Sequence, residues 1–241
     1  MNSFQKESDL SALAPGTSTV IFRPVRKAGD GSSAGHYCVP AKRTNEGELL
    51  VGDGIMLAGS GGKVLDTKRL TENIQWVIGK AVAFLRTRRS RGEETTVIVP
   101  MNAIALGSKD VATSFAQLCR SAEPDLRDHF IVEAFNFPRK MNLSFLDDIA
   151  ILLYSFSPVY LARPNLGWTD FTIFANCNFQ GASVDLMNKP WPEDKVRTFF
   201  EEFVGGARTR RLSTYVHGVG SSAIAKAAKA AGCDYMDGEQ V

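Results

Sequence analysis

From Asp66 onward the sequence alternates between short β-branched or aromatic runs and longer stretches with apolar residues at three- and four-residue spacing. Regular alternation of this kind builds a parallel sheet covered by helices, so it confines the chain to the α/β class. Strands are read over residues 95–99, 130–134, 159–162, 182–186, 212–216 and 233–236. Between them, Leu70, Ile74, Val77, Ala81, Phe84 and Leu85 share one helical face, behind Asp66 or Thr67 as the cap. Ser108 leads a helix carrying Val111, Phe115 and Leu118, and further helices are read over 143–153 and, briefly, 170–175. Pro192 opens a helix that buries Val196, Phe199, Phe200 and Phe203 and is closed by Gly205. An alanine-rich helix is capped by Ser221 and stopped by Gly232.

The N-terminal part reads differently. Residues 1–17 form a polar, flexible lead, with room for one short helix. Strands over 20–25 and 36–39 follow, too close for a crossover helix and therefore antiparallel. Glycine-rich stretches at 52–54 and 59–62 read as loop punctuation, because no phosphate fingerprint sits between a strand and a helix. About eight strands then predict one domain over 18–241, a (β/α)8 TIM-like barrel with an antiparallel first strand. The rival, an open doubly wound sheet, lacks its glycine-rich dinucleotide turn.

A 241-residue chain with 44% hydrophobic residues supports one such core. Its net charge of +2 provides no global field for nucleic acid or an acidic membrane. Two arginine clusters, at Arg86, Arg88, Arg89 and Arg91 and at Arg208, Arg210 and Arg211, read as solvated helix ends rather than binding patches. Cys38, Cys119, Cys177 and Cys233 form no CxxC pair and no zinc pattern. No signal peptide or membrane span is legible, so a cytoplasmic protein with free thiols is expected.

Several segments in order resemble the EAL domain of cyclic-di-GMP phosphodiesterases. Phe22-Arg23-Pro24-Val25 resembles the family's opening Tyr-Gln-Pro-Ile/Val, and Gln75-Trp76-Val77-Ile78 its Asp/Arg-Trp-Val-Leu helix. Val99-Pro100-Met101-Asn102 is similar to Val-Asn-x-Ser, and Ile131-Val132-Glu133 to the strand entering Glu-x-Thr-Glu. The run 232–238, Gly-Cys-Asp-Tyr-Met-Asp-Gly, is similar to Gly-Cys-Asp-x-x-Gln-Gly. The resemblance implies an EAL-type barrel whose first strand runs against the rest. It also implies hydrolysis by paired divalent cations about 3.5–4 Å apart, held by several carboxylates.

Measured against that pattern, this sequence is degenerate. Asn102 and Glu133 match metal-ligand positions, but Tyr37 stands near the signature glutamate. Pro164 and Asn165 replace paired aspartates, Ser183 replaces a lysine beside the retained Asp185, and His217 and Gly220 replace two glutamates. Hard cations take six or more oxygens each, so no metal, no cofactor and no catalysis by the family mechanism are expected.

Asn102, Glu133, Arg163, Asp185, Gly218 and Ser221 are the candidate ligand contacts. Plainer roles compete with each. Glu133 and Asp185 can form structural salt bridges, Asn102 can bond loop backbone, and Gly218 and Ser221 can serve a helix cap instead of an anion. His217 suits a hydrogen-bonded role better than that of a base, and His36 and His129 carry no partner pattern. The expected function is that of a non-catalytic EAL-like regulator, acting through protein–protein interaction in cyclic-di-GMP-related or motility signalling. The alternatives are a receptor that binds cyclic-di-GMP without hydrolysis and an enzyme with other chemistry at the barrel mouth. The aromatic-rich stretch Trp168, Phe171, Phe174 and Phe179 either supplies a protein-binding face or simply packs under the barrel rim; with a barrel flank left without a closing helix, it leads to the expectation of a homodimer or a stable complex with a protein partner.

Overall fold

The computed structural model describes residues 7–57, 65–121, 124–189 and 191–241. After a 3-10 turn at Glu7–Ala12, β1 (Ser18–Lys27) and β2 (Ser33–Arg43) pair antiparallel, and β3 (Leu49–Val51) lies along the far end of β2. There follow α1 (Asp53–Met56), α2 (Thr67–Arg89), β4 (Val97–Asn102), α3 (Ala103–Leu106), α4 (Lys109–Ser121) and β5 (Phe130–Phe135). The chain continues through α5 (Leu143–Tyr154), β6 (Val159–Arg163), α6 (Thr172–Asn176) and β7 (Gly181–Asp185). It ends with α7 (Glu193–Thr209), β8 (Ser213–His217), α8 (Ser222–Ala231) and β9 (Tyr235–Met236).

The strands close in the order β1-β2-β4-β5-β6-β7-β8-β9, with β3 outside the ring. Every neighbouring pair from β2 through β9 is parallel, whereas β1 is antiparallel to both β2 and β9. The predicted barrel with a reversed first strand is the observed one. Ends follow the expected chemistry at several helices. Asp66 accepts from Arg69 N at the start of α2, Ser221 from Ile224 N at the start of α8, and Gly232 closes α8 at φ 82°.

Some boundaries differ for definable reasons. β4 continues past Val99 through Pro100 to Asn102. β2 pairs only with Val97 and Ile98 of β4, so beyond them β4 has an open edge, where proline is tolerated. α7 does not stop at Gly205 but runs to Thr209. Gly206 is there for close approach, since a Cβ on it would lie 2.1 Å from the carbonyl oxygen of Thr169. Gly52 joins β3 to α1 and Gly54 lies within α1, so this stretch is not a plain loop, and the glycines at 59–62 lie outside the described residues. Part of the lead is seated on the barrel: Leu10 is buried with Ile21, Val39 and Ala41, and Arg43 donates to the carbonyls of Leu10 and Ser11.

The core has two layers. One lies between strands and helices and holds most of the aromatic residues, while a smaller one fills the barrel interior with Ile21, Val25, Ile98, Leu161 and Tyr215. Phe171, Phe174 and Phe179 belong to the outer layer, with Trp168 packed against it. Phe171 meets Phe203 of α7 at 5.7 Å and Phe179 meets Tyr160 of β6 at 4.9 Å, centroid to centroid. Of the two roles open to this stretch, the rings take the plainer one and pack beneath the barrel wall, where burial of their large apolar surface is favourable. Exposed apolar side chains sit on α5 instead, at Leu143, Ile151 and Tyr154. Cys38, Cys177 and Cys233 are buried, Cys119 is half-buried, and all four are free thiols. Among the described residues no helix is long and apolar enough to cross a membrane.

Candidate functional site

Side chains alternate along a strand, so the phase that points Ile21, Val25, Ile98, Leu161 and Tyr215 inward also turns Arg23, Asn102, Glu133, Arg163, Ser183, Asp185 and His217 into the barrel. Near the C-terminal ends of the parallel strands all of these but Asn102 meet in one network centred on Glu133, which has no exposed surface. Such a carboxylate persists only if its oxygens are answered. Oε2 accepts from the Tyr37 hydroxyl at 2.9 Å and pairs with Arg163 Nε at 3.1 Å. Oε1 accepts from Ser183 Oγ at 2.6 Å and pairs with His217 Nε2 at 2.9 Å. The two cationic contacts lie off the hydrogen-bond line, so they act mainly through charge.

From Glu133 the network extends two ways. Arg163 places NH2 2.6 Å from Asp53 and NH1 3.1 Å from Asp185, so one guanidinium joins three carboxylates. His217 Nδ1 meets Asp237, which also pairs with Arg23 Nε at 2.5 Å and accepts from Gly218 N at 3.3 Å. The Asp237 end is sealed, whereas Asp53 and Asp185 keep 39% and 22% of their side-chain surface and open the other end to water. Burial alone would discharge His217, but Asp237 and Glu133 outweigh it and hold the imidazole protonated, its pKa raised to about 10. Burial likewise opposes charge on Glu133, yet Arg163 and His217 keep its carboxyl well below the usual range. Burial raises Asp53, only partly countered by Arg163.

The sequence candidates separate on this geometry. Glu133, Arg163, Asp185, Tyr37, Ser183 and His217 come together. Asn102 instead bonds helix backbone, donating to the carbonyl of Met56 at the end of α1 at 3.1 Å and capping α3 by accepting from Ala105 N at 3.3 Å. Pro164 and Asn165 lie in the loop just past Arg163, outside the network. The glycine loop thought to suit an anion is occupied by protein. Asn188 N donates to Gly218 O at 3.0 Å, and a Cβ on Gly220 would lie 2.7 Å from Asn188 O. Met187 and Asn188 adopt positive φ, 55° and 52°, to make this seat. Ser221 is the cap of α8. His36, given no partner from sequence, reaches Thr95 Oγ1 at 3.1 Å, and burial lowers its pKa to about 4.

Arg23, Asp53 and Asp237 were not predicted as site residues. Arg23 carries a readable signal, since it alternates with Ile21 and Val25 in the inward phase of β1, as Asp237 does two residues after Tyr235. Asp53 carries none, because it lies 110 positions from Arg163 in sequence and on a separate element.

Scanned against protein-family models and against curated proteins, the sequence matches none. Its structure does find relatives. It superposes on the PaMucR phosphodiesterase in its c-di-GMP complex at TM-score 0.69 and 15% identity, covering 92% of this chain and 93% of that one. The barrel has the EAL-domain fold. The FimX EAL domain of Xanthomonas citri, in complex with c-diGMP, matches at TM-score 0.63 and 14% identity over 92% of this chain and 85% of that one. The Vibrio cholerae LapD S helix-GGDEF-EAL protein matches at 0.69 and 9% over 92% of this chain, which spans only 52% of that longer one.

EAL-type hydrolysis implies divalent cations, and this donor set does not fit them. The carboxylates of the EAL-fold chain already face a guanidinium and an imidazolium at contact distance. Among the described residues no group of three or more His, Cys, Asp or Glu side chains is arranged to hold a metal.

Proposed function

We propose that this chain is a non-catalytic EAL-fold regulatory protein that acts by binding another protein, in cyclic-di-GMP-related or motility signalling. The observation that carries the reading is the saturation of Glu133 by Arg163, His217, Tyr37 and Ser183. A carboxylate so engaged has no oxygen to offer a metal, and two side-chain cations occupy the space that metal chemistry would need. A fold retained around such a centre supports use of its surface rather than its mouth. Arg163, the cation a cyclic-di-GMP receptor would turn toward a phosphate, is 6% exposed and committed to three carboxylates, which speaks against nucleotide binding there.

The test is an assay of purified protein with cyclic-di-GMP and Mg²⁺ or Mn²⁺, paired with a calorimetric titration of the nucleotide. Neither turnover nor tight binding is expected. Turnover that scales with protein and vanishes in an Asn102→Ala/Glu133→Ala variant would overturn the reading. So would submicromolar affinity abolished by Arg163→Ala.

A further inference from the structure

At the end of the barrel opposite the network, α7 and α8 finish, β9 begins, and the reversed β1 runs out. This convergence gathers Arg26 and Lys27 of β1, Arg208 in the last turn of α7, Arg210 and Arg211 just beyond it, and Lys229 in the last turn of α8. All six are exposed. None lies within ion-pair distance of a carboxylate among the described residues: Arg26 and Arg208 donate to the carbonyls of Gly31 and Gly232. Lys27, Arg208 and Lys229 line a groove of about 640 Å³, with Ala28 and the half-buried Tyr235 as its apolar part.

Helix ends account for only part of this cluster. Cations favour the last helical turn, which covers Arg208 and Lys229. Arg26 and Lys27 are on a strand, Arg210 follows the helix as its cap, and Arg211 holds a left-handed φ of 58°. With a net charge of only +2 for the chain, the cluster is a local concentration and not a reflection of composition.

We propose that this groove docks a carboxylate-rich segment of a protein partner. The inference rests on the protein-binding reading above for the class of partner and adds where and by what chemistry it binds. The groove mixes both signs of charge with apolar surface, unlike the uniformly basic face that suits a bilayer. Its lining also holds Asp30 and Asp234, the first accepting from Ser32 N and the second from Thr214 N and Oγ1. Fixed carboxylates within the groove repel an unbroken phosphate chain, but a peptide can set its acidic side chains against the cations and its apolar ones against Ala28 and Tyr235.

The experiment measures anisotropy of a labelled peptide rich in glutamate and leucine, titrated with the full chain at low and high salt. Binding that weakens with salt is expected, together with about a tenfold loss of affinity in Lys27→Glu/Lys229→Glu. A smaller loss is expected in Lys27→Gln/Lys229→Gln, which guards against misfolding of the reversed pair. Lys109→Glu, an exposed change at the start of α4, serves as the control and should bind as wild type. Absence of peptide binding, or binding indifferent to both double variants, overturns the proposal. Tighter binding of phosphatidylserine vesicles or duplex DNA through the same lysines overturns it too, by assigning the groove to another partner. The hydrolysis assay reports on the barrel mouth, so a failure here is distinguishable from failure of the non-catalytic reading.

Discussion

The imidazole of His217 stacks on the phenol of Tyr37, with ring centroids 4.1 Å apart and planes inclined by 25°. Both rings reach the same carboxylate from one side: Tyr37 donates to one oxygen of Glu133, and His217 pairs with the other. The stack sets a protonated imidazole over an aromatic face, which itself favours the cation. Arg23 also lies over that ring, its guanidinium carbon 5.5 Å from the centroid. Tyr37 thus couples the two cations that flank Asp237 to the anion at the centre.

This coupling predicts a pH dependence of stability. The pKa of His217 is raised to about 10 when folded, above the roughly 6.5 of an unfolded chain. Its contribution is therefore complete below about pH 6.5 and is lost as pH climbs through 10. The urea midpoint should fall between pH 7 and pH 10, and His217→Gln should lower the midpoint at pH 7 while flattening that decline. Equal slopes in the two proteins would show that His217 is neutral in the fold.

Arg163 should be the more damaging loss. Removing it leaves Asp53, Glu133 and Asp185 without their common cation, and deleting one partner of a buried ion pair costs about 3–5 kcal/mol. Arg163→Met should show a loss of that size in equilibrium unfolding. Arg163→Lys should recover part of it, since an ammonium cannot spread over three carboxylates as a planar fork does. A methionine variant as stable as wild type would contradict the network as described.

Much of this was legible in the sequence, for physical reasons. Strand and helix periods carried the barrel, and the caps Asp66, Ser221 and Gly232 act through neighbours a few residues away. Glu133, Asp185 and His217 stood out because charge within an apolar strand must be answered somewhere. What answers them was not legible, because Arg163, Asp53 and Asp237 come from distant elements that only barrel closure unites. Gly205 was misread as a stop because Gly206, its neighbour, is needed for a contact with Thr169 that no local pattern encodes.

Divalent cations should leave the fold untouched. A ligand that binds only the native state raises its melting temperature in proportion to binding. With Arg163 and His217 already paired to the carboxylates, Mg²⁺ or Mn²⁺ at millimolar concentration should shift the melting temperature by no more than about 1 °C at constant ionic strength. A larger rise, saturating with metal and lost in Glu133→Gln, would establish a metal site.

The adjacent glycines of α7 should respond to the same substitution with opposite signs. Nothing lies within 4 Å of a Cβ built on Gly205, which is exposed, so alanine there should stabilise the helix by roughly 0.5–1 kcal/mol. On Gly206 the same methyl would sit 2.1 Å from Thr169 O and 3.4 Å from the Phe171 ring. Either α7 or the segment carrying Thr169 and Phe171 must then move, and Phe171, with no exposed surface, anchors that segment in the outer core layer. Overpacking of this kind costs about 1–3 kcal/mol, so Gly206→Ala should lower the urea midpoint while Gly205→Ala raises it. If both variants moved the midpoint in the same direction, the close seat between α7 and the loop after β6 would be wrong.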